Sequence, residues 1–213
     1  GEGPHPTYHQ RLPLRVCGII TPFNHPMLIL ARSLSAALAN GNTVVVKPSD
    51  LTPLTTLALA DILTRAGLPE GVFNVVTGAR DAGRRLTNNP DVAKITLTGG
   101  TEAGRSAAIA TASRFARITA ELGGKTPVLL FDDIDPSVAA EGAAFAAFVA
   151  AGQSCVAGSR FLVQRGIYDE FVAALTARAQ AIRLGDPGLP STQMGPLISA
   201  RQREKVVALI QTG

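Results

Sequence analysis

The chain has 213 residues, of which 46% are hydrophobic and 17% charged, and its formal net charge is +4. This length suits one large domain or two small ones, and the apolar fraction supports a packed core, which excludes a disordered or fibrous protein. The basic residues are spread along the chain without a patch of interleaved aromatics, so the composition indicates no nucleic-acid partner.

Nothing in the sequence predicts a membrane segment or secretion. The most apolar stretch, residues 138–151, is too short to span a bilayer and contains Glu141. Residues 1–8 are polar and rich in proline, and they lack the apolar core of a signal peptide. The two distant cysteines mark no disulfide framework, although the sequence alone leaves one bridge open. We expect a cytoplasmic protein without a membrane partner.

Buried strands and helices alternate through the first 120 residues. The predicted strands are residues 16–20, 42–47, 72–76, 94–98 and 116–120, and the predicted helices are residues 26–39, 53–66, 82–86 and 101–113. Thr52 is predicted to be the N-cap of the second helix, with Pro53 as its first residue. Five apolar strands separated by helices predict a parallel α/β sheet.

The carboxyl ends of these strands carry the polar and glycine-rich residues, where parallel sheets bind ligands. Asn24 could cap a helix or donate its amide to a developing oxyanion. Lys47 could bind a ligand hydroxyl or phosphate, or be a solvated charge. Asp50 could accept ribose hydroxyls or belong to a turn. Residues 99–104 open a helix after a strand, as a phosphate-binding turn does, but without the GxGxxG pattern.

The pattern restarts after a predicted boundary at residues 123–124. Strands are predicted at residues 128–131 and 161–164, and helices at 136–151 with Asp135 as cap, at 168–182, and from about Ser199. Two strands are too few for a stable sheet with covered faces. No histidine and cysteine cluster and no HExxH motif is present, so the sequence predicts no metal site.

Two residues stand out as chemically reactive candidates, although each has a simpler interpretation when taken alone. Cys155 follows a predicted helix in the sequence Gly-Gln-Ser-Cys, but a lone cysteine is most simply a small buried residue. A nucleophilic cysteine needs a base or a positive environment, and all three histidines lie within the first 25 positions. Glu121, at a strand end, is most simply a loop carboxylate.

Five short segments in a fixed order carry a resemblance to a known family. They are residues 20–24 (Ile-Thr-Pro-Phe-Asn), 39–49, 67–69 (Gly-Leu-Pro), 121–125 (Glu-Leu-Gly-Gly-Lys) and 152–155 (Gly-Gln-Ser-Cys), with later landmarks at 185–187 and 194–199. From about Leu14 to its end, the chain resembles the NAD(P)-dependent aldehyde dehydrogenase superfamily. The fourth and fifth segments are highly specific, and they reverse the simpler interpretations of Cys155 and Glu121.

The resemblance implies a Rossmann-like cofactor domain over residues 1–123 and the first part of an α/β catalytic domain over residues 124–213. Family members are more than twice this length, so we expect a central fragment without the N-terminal part and the C-terminal half. The fragment alone should be poorly active, and the full-length protein should be a homo-oligomer.

The resemblance also implies a role for each candidate residue. Cys155 would attack an aldehyde carbonyl, with Asn24 and the Cys155 backbone N–H as the oxyanion hole. Hydride transfer to the nicotinamide would leave a thioester, and Glu121 would activate the water that hydrolyses it. The residues implied to bind the cofactor are Ile20, Thr21, Pro22, Phe23, Lys47, Asp50, Gly78, Gly83, Thr98, Gly99, Gly100 and Leu122.

Two departures from the family pattern affect the expected cofactor. Gly100 stands where many members have a serine, so one phosphate hydroxyl contact is missing. Asp50 stands where NAD-preferring members have glutamate, and its charge should repel a 2′-phosphate, which favours NAD over NADP.

Two other functions stay open. One alternative is a CoA-acylating semialdehyde dehydrogenase, against which Glu121 argues; the other is a non-catalytic dinucleotide-binding or structural protein. The sequence does not name the aldehyde.

Overall fold

Five strands and four helices alternate in the first part of the chain. In the computed structural model, which describes residues 8–212, the strands are β1 (Val16–Ile20), β2 (Thr43–Lys47), β3 (Phe73–Val75), β4 (Val92–Gly99) and β5 (Arg117–Leu122). The helices are α1 (Pro26–Ala39), α2 (Leu54–Arg65), α3 (Arg80–Asn88) and α4 (Thr101–Ala112). Most of the proline-rich start lies outside the described residues. The predicted alternation is confirmed, with most ends shifted by one to a few residues.

The sheet places β1 at its centre, in the order β3-β2-β1-β4-β5. β1 runs parallel to β2 and β4, and β2 runs parallel to β3, as predicted. The register sets Ile20 opposite both Lys47 and Leu97, so three neighbouring strands end side by side. One apolar cluster joins β1 and β2 to α1, and another joins β4 to α4. These clusters hold the strand ends in place.

The second part of the chain contains a smaller sheet. Its elements are β6 (Thr126–Leu130), α5 (Pro136–Phe148), β7 (Gly158–Val163), α6 (Tyr168–Gln180) and α7 (Ala200–Ile210), with 3-10 turns at Val149–Gly152 and Arg165–Ile167. β6 and β7 pair in parallel, and one core cluster joins them to α5 and α6. Successive strand residues point to opposite faces, and Leu129 (61% exposed) and Leu162 (52%) alternate with residues of that cluster.

The chain divides into two compact units, Gly1–Glu121 and Leu122–Gly213, which are called the first unit and the second unit below. The first unit carries the five-stranded sheet. The second unit carries the two-stranded sheet with its helices. Among the described residues, no helix is both long and apolar enough to cross a membrane.

One of two predicted helix caps is confirmed and the other is wrong. Asp135 caps α5 as predicted, because its Oδ1 accepts hydrogen bonds from the backbone N–H groups of Ser137 (2.8 Å) and Val138 (3.4 Å). The predicted Thr52 cap is wrong: α2 begins at Leu54, Pro53 is its N-cap, and no side chain caps it.

Two further helix predictions are corrected by left-handed backbone. Asn24 is not the N-cap of α1, because His25 takes that position with φ 47°. The helix predicted to reach residue 151 ends at Phe148, since Ala150 and Ala151 are both left-handed (φ 53° and 55°). Continued α-helix is incompatible with those backbone angles.

Candidate functional site

Most of the candidate cofactor residues lie along one edge of the large sheet. Ile20, Lys47 and Thr98 stand at or beside the carboxyl ends of three adjacent strands, and the Thr21 N–H donates to the Lys47 carbonyl at 3.2 Å. A Cβ built on Gly83 of α3 would lie 4.0 Å from both the Ile20 Cδ1 and the Lys47 Cδ. The structure therefore brings α3 next to the ends of β1 and β2.

Lys47 is a buried cation at this edge, with only 8% of its surface exposed. Burial lowers the pKa of its ammonium group, and the charge of Asp50 opposes that change by raising it. Asp50 itself is exposed. A partly desolvated ammonium beside a carboxylate can bind ligand hydroxyls, with the lysine donating and the acid accepting.

Glycines lie where a ligand would approach the backbone. Gly78 has φ 146°, and a Cβ there would lie 2.9 Å from the Ala82 Cβ, so the turn between β3 and α3 requires glycine. Gly100 is the N-cap of α4, and an added Cβ would meet nothing within 4 Å. Gly99 is the last residue of β4. Unpaired N–H groups at such a helix start bind phosphate oxygens.

The segment after β1 contains the candidate oxyanion donor. Thr21 is 3% exposed, and its Oγ1 is buried without a hydrogen-bond partner among the described residues. Pro22, Phe23 and Asn24 are half-buried. The Phe23 carbonyl accepts a hydrogen bond from the Thr52 hydroxyl at 3.2 Å. Thr52 carries no sequence signal for this contact, because a threonine before a proline resembles a helix cap.

Glu121 and Leu122 are the last two residues of β5, which is an outermost strand of the five-stranded sheet. Both are exposed, with Leu122 at 38%. Glu121 ends the first unit and Leu122 begins the second. Water can therefore reach the Glu121 carboxylate, which a general base that acts on water requires.

Cys155 lies in the second unit on a loop with unusual backbone. Its thiol is exposed, and the loop follows three consecutive left-handed residues, Ala150, Ala151 and Gly152 (φ 53°, 55° and 71°). The Gln153 side chain fixes the loop, since its Oε1 accepts from the Ile198 N–H at 3.1 Å. In the sequence, Gln153 is notable only as part of the Gly-Gln-Ser-Cys motif, because its partner lies 45 positions away and leaves no local signal.

The second cysteine has the opposite environment. Cys17 lies in β1, is 5% exposed and forms no disulfide, and neither does Cys155. Burial raises the pKa of the Cys17 thiol, an effect that the Lys94 charge partly opposes. The described residues contain no group of three or more histidine, cysteine or acidic side chains able to hold a metal ion.

Comparisons with known proteins agree with one another. A sequence profile described as the aldehyde dehydrogenase family matches residues 3–213. The betaine aldehyde dehydrogenase of Rhizobium leguminosarum bv. trifolii (strain WSM2304) is 48% identical over 206 residues, which are 97% of this chain and 42% of that protein. The chain thus spans about two fifths of the length of the curated relatives it matches.

Two solved structures resemble the chain closely. An aldehyde dehydrogenase C mutant from Pseudomonas syringae, crystallised with NAD+ and octanal, has a TM-score of 0.91 and 40% identity, covering 95% of this chain and 42% of its own. An NADP-dependent enzyme from E. coli has a TM-score of 0.90 and 42% identity, covering 94% and 42%. Two structures of nearly equal similarity thus differ in cofactor, with NAD+ bound in one and NADP named for the other.

Proposed function

The chain belongs to the aldehyde dehydrogenase family, and on that premise we propose that the complete protein oxidises an aldehyde to a carboxylic acid with NAD+. The observation that carries the proposal is the exposed Cys155 thiol, placed on a loop held by Gln153. Exposure is what a nucleophilic thiol needs in order to reach a substrate. The buried Cys17 does not meet that need.

The residues at the sheet edge fit a dinucleotide. Lys47 and Asp50 supply a donor and an acceptor for ribose hydroxyls, and the open space at Gly100, the N-cap of α4, suits a pyrophosphate next to Gly99. The buried Thr21 hydroxyl, which has no hydrogen-bond partner among the described residues, could bond to the cofactor. When bound, the nicotinamide would supply the chemistry of hydride acceptance. We propose NAD+ because the Asp50 charge repels a 2′-phosphate.

The chain's own residues would perform the covalent steps. The Cys155 thiol first releases its proton to water, and the thiolate then attacks the aldehyde carbon, so that a C–S bond forms while the carbonyl π bond opens to an oxyanion. The Asn24 amide and the Cys155 backbone N–H donate hydrogen bonds to that oxyanion. After the carbon has been oxidised to a thioester, Glu121 accepts a proton from the water that attacks it, and the Cys155 thiolate leaves.

The substrate proposal rests on the relatives. Seven of them, 45–48% identical to this chain, carry the name betaine aldehyde dehydrogenase, so betaine aldehyde is our first candidate. Octanal, present in the Pseudomonas syringae structure, is the second candidate. The small side chains next to the nucleophile, Ser154 and Val156, favour neither.

The test is NADH formation by the complete protein across an aldehyde panel, without CoA. We expect acid and NADH to form in equal amounts. Cys155→Ala should abolish turnover but leave NAD+ binding unchanged, whereas the control Cys17→Ala should retain turnover. Turnover that survives Cys155→Ala contradicts the nucleophile assignment. A product that forms only with CoA supports the acylating alternative, and NAD+ binding without any turnover supports the non-catalytic one.

A further inference from the structure

One side-chain hydrogen bond links the two loops that follow the central strands of the large sheet. We call residues 21–25, after β1, the β1 loop, and residues 48–53, after β2, the β2 loop. The Thr52 hydroxyl of the β2 loop donates to the Phe23 carbonyl of the β1 loop at 3.2 Å. Thr52 is half-buried, which shields this bond partly from water. The two loops are 29 positions apart in sequence.

The β2 loop is a firm support for this hydroxyl. The Leu51 N–H donates to the Ser49 hydroxyl and the Thr52 N–H donates to the Ser49 carbonyl, each at 3.2 Å. These bonds close a turn around Asp50. The loop follows directly after Lys47, whose carbonyl is bound by the Thr21 N–H. The Thr52 hydroxyl is therefore held by the same turn that carries the candidate ribose acceptor.

The β1 loop places Asn24 between two fixed points. On one side, the Phe23 carbonyl is held by Thr52. On the other side, His25 is left-handed and its carbonyl accepts the Ile29 N–H at 3.0 Å, in the first turn of α1. A non-glycine residue in this conformation is held there by its surroundings. With both neighbours held, the Asn24 backbone lies between two fixed residues, so a shift of either one would turn the side chain that it carries.

We propose that Thr52 is a positioning residue for the Asn24 amide, acting through the Phe23 carbonyl. The inference rests on the proposed function, in which Asn24 donates to the oxyanion. An oxyanion donor helps only when it is aimed where the charge develops, so a small rotation of the β1 loop weakens it. Thr52 would thereby influence the rate of the covalent step from the loop that carries Asp50, the residue proposed to bind the cofactor ribose.

The experiment compares threonine variants in the complete protein under saturating NAD+. Thr52→Val keeps the shape and removes the hydroxyl, and we expect kcat to fall about three- to tenfold, the value of one hydrogen bond. The Kd for NAD+, measured by fluorescence, should stay within about twofold. Thr52→Ser restores the hydroxyl and should restore kcat. A residue with a purely structural role would lower the melting temperature without this split or rescue.

A matched control and a double-mutant cycle complete the test. Thr43 begins β2 at its opposite end, where its hydroxyl donates to the Arg15 carbonyl at 3.4 Å, so Thr43→Val removes a similar bond far from the loops and should leave kcat unchanged. In an Asn24→Ala background, Thr52→Val should cause no further loss, because the two residues act as one.

The outcomes separate this inference from the proposed function. If Asn24→Ala lowers kcat but Thr52→Val does not, the positioning role is overturned and the proposed function stands. Equal, additive losses in the cycle overturn the role as well. If Asn24→Ala leaves kcat unchanged, the oxyanion assignment falls and the inference falls with it.

Discussion

The two units hold their candidate functional residues in different ways. In the first unit, Ile20, Lys47 and Thr98 are placed by the ends of paired strands, and core clusters support those strands. In the second unit, Cys155 lies on the loop between the 3-10 turn at Val149–Gly152 and β7, a strand of the two-stranded sheet with exposed leucines on one face. A ligand site made from strand ends takes its rigidity from the whole sheet. A nucleophile on a loop depends on a few local bonds, and each prediction below tests this contrast.

The largest expected effect concerns the core cluster that the described residues of the second unit form around β6, β7, α5 and α6. Phe171 is 2% exposed and its ring lies 6.3 Å from that of Phe161. Phe171→Ala should cost about 3–5 kcal/mol of unfolding free energy through the cavity it leaves. Hydrogen exchange should then lose protection throughout β6, β7, α5 and α6, because nothing else in that unit's described core replaces the cluster.

The matched substitution in the first unit is Leu30→Ala. Leu30 is fully buried between α1 and the sheet. The substitution should lower the free energy of unfolding by about 2–5 kcal/mol. Protection should fall in α1, β1 and β2 and persist in β4, which has a second cluster with α4. If β6 and β7 of Phe171→Ala kept their protection from hydrogen exchange, the described core of the second unit would not depend on one cluster as we expect.

The second prediction compares the two thiols. Native protein treated with iodoacetamide should be modified at Cys155 at least about 10³-fold faster than at Cys17, since a buried thiol reacts only through opening events that cost several kcal/mol. The raised pKa of Cys17 also reduces its thiolate fraction. Peptide mapping by mass spectrometry measures both rates. Urea-unfolded protein is the control, in which the rates should converge; comparable rates in the native state would refute the assigned environments.

These contrasts also explain which features could be predicted from the sequence. The strands with their apolar runs, α1 and the Asp135 cap depend on nearby residues, so local patterns identified them. The Thr52 cap was wrong because the threonine's acceptor, the Phe23 carbonyl, is distant in sequence. Left-handed Ala150 and Ala151 were also unpredictable, since alanine favours helix and only the surrounding fold opposes that preference.

The third prediction tests the strain in the Cys155 loop. Left-handed backbone costs a residue with a Cβ roughly 1–2 kcal/mol, so Ala150→Gly should raise the free energy of unfolding by about 1 kcal/mol after the entropy of glycine is counted. Ala173→Gly, in the exposed interior of α6, is the matched control and should lower it by about the same amount. Urea denaturation measures both. Equal losses in the two variants would mean that Ala150 is unstrained.

The last prediction concerns Lys47, at the carboxyl end of β2, and the pH dependence of NAD+ affinity. Protonated Lys47 would be the better ribose donor, so NAD+ affinity should fall as the pH rises through the pKa of that lysine, which burial has lowered. Asp50→Asn removes the charge that raises this pKa, and the fall should therefore begin at a lower pH. Lys47→Arg stays protonated and should lose the alkaline fall altogether. The Kd for NAD+ is measured across alkaline pH in the complete protein. A fall that moves to higher pH in Asp50→Asn, or that persists in Lys47→Arg, would show that another group controls binding at this edge.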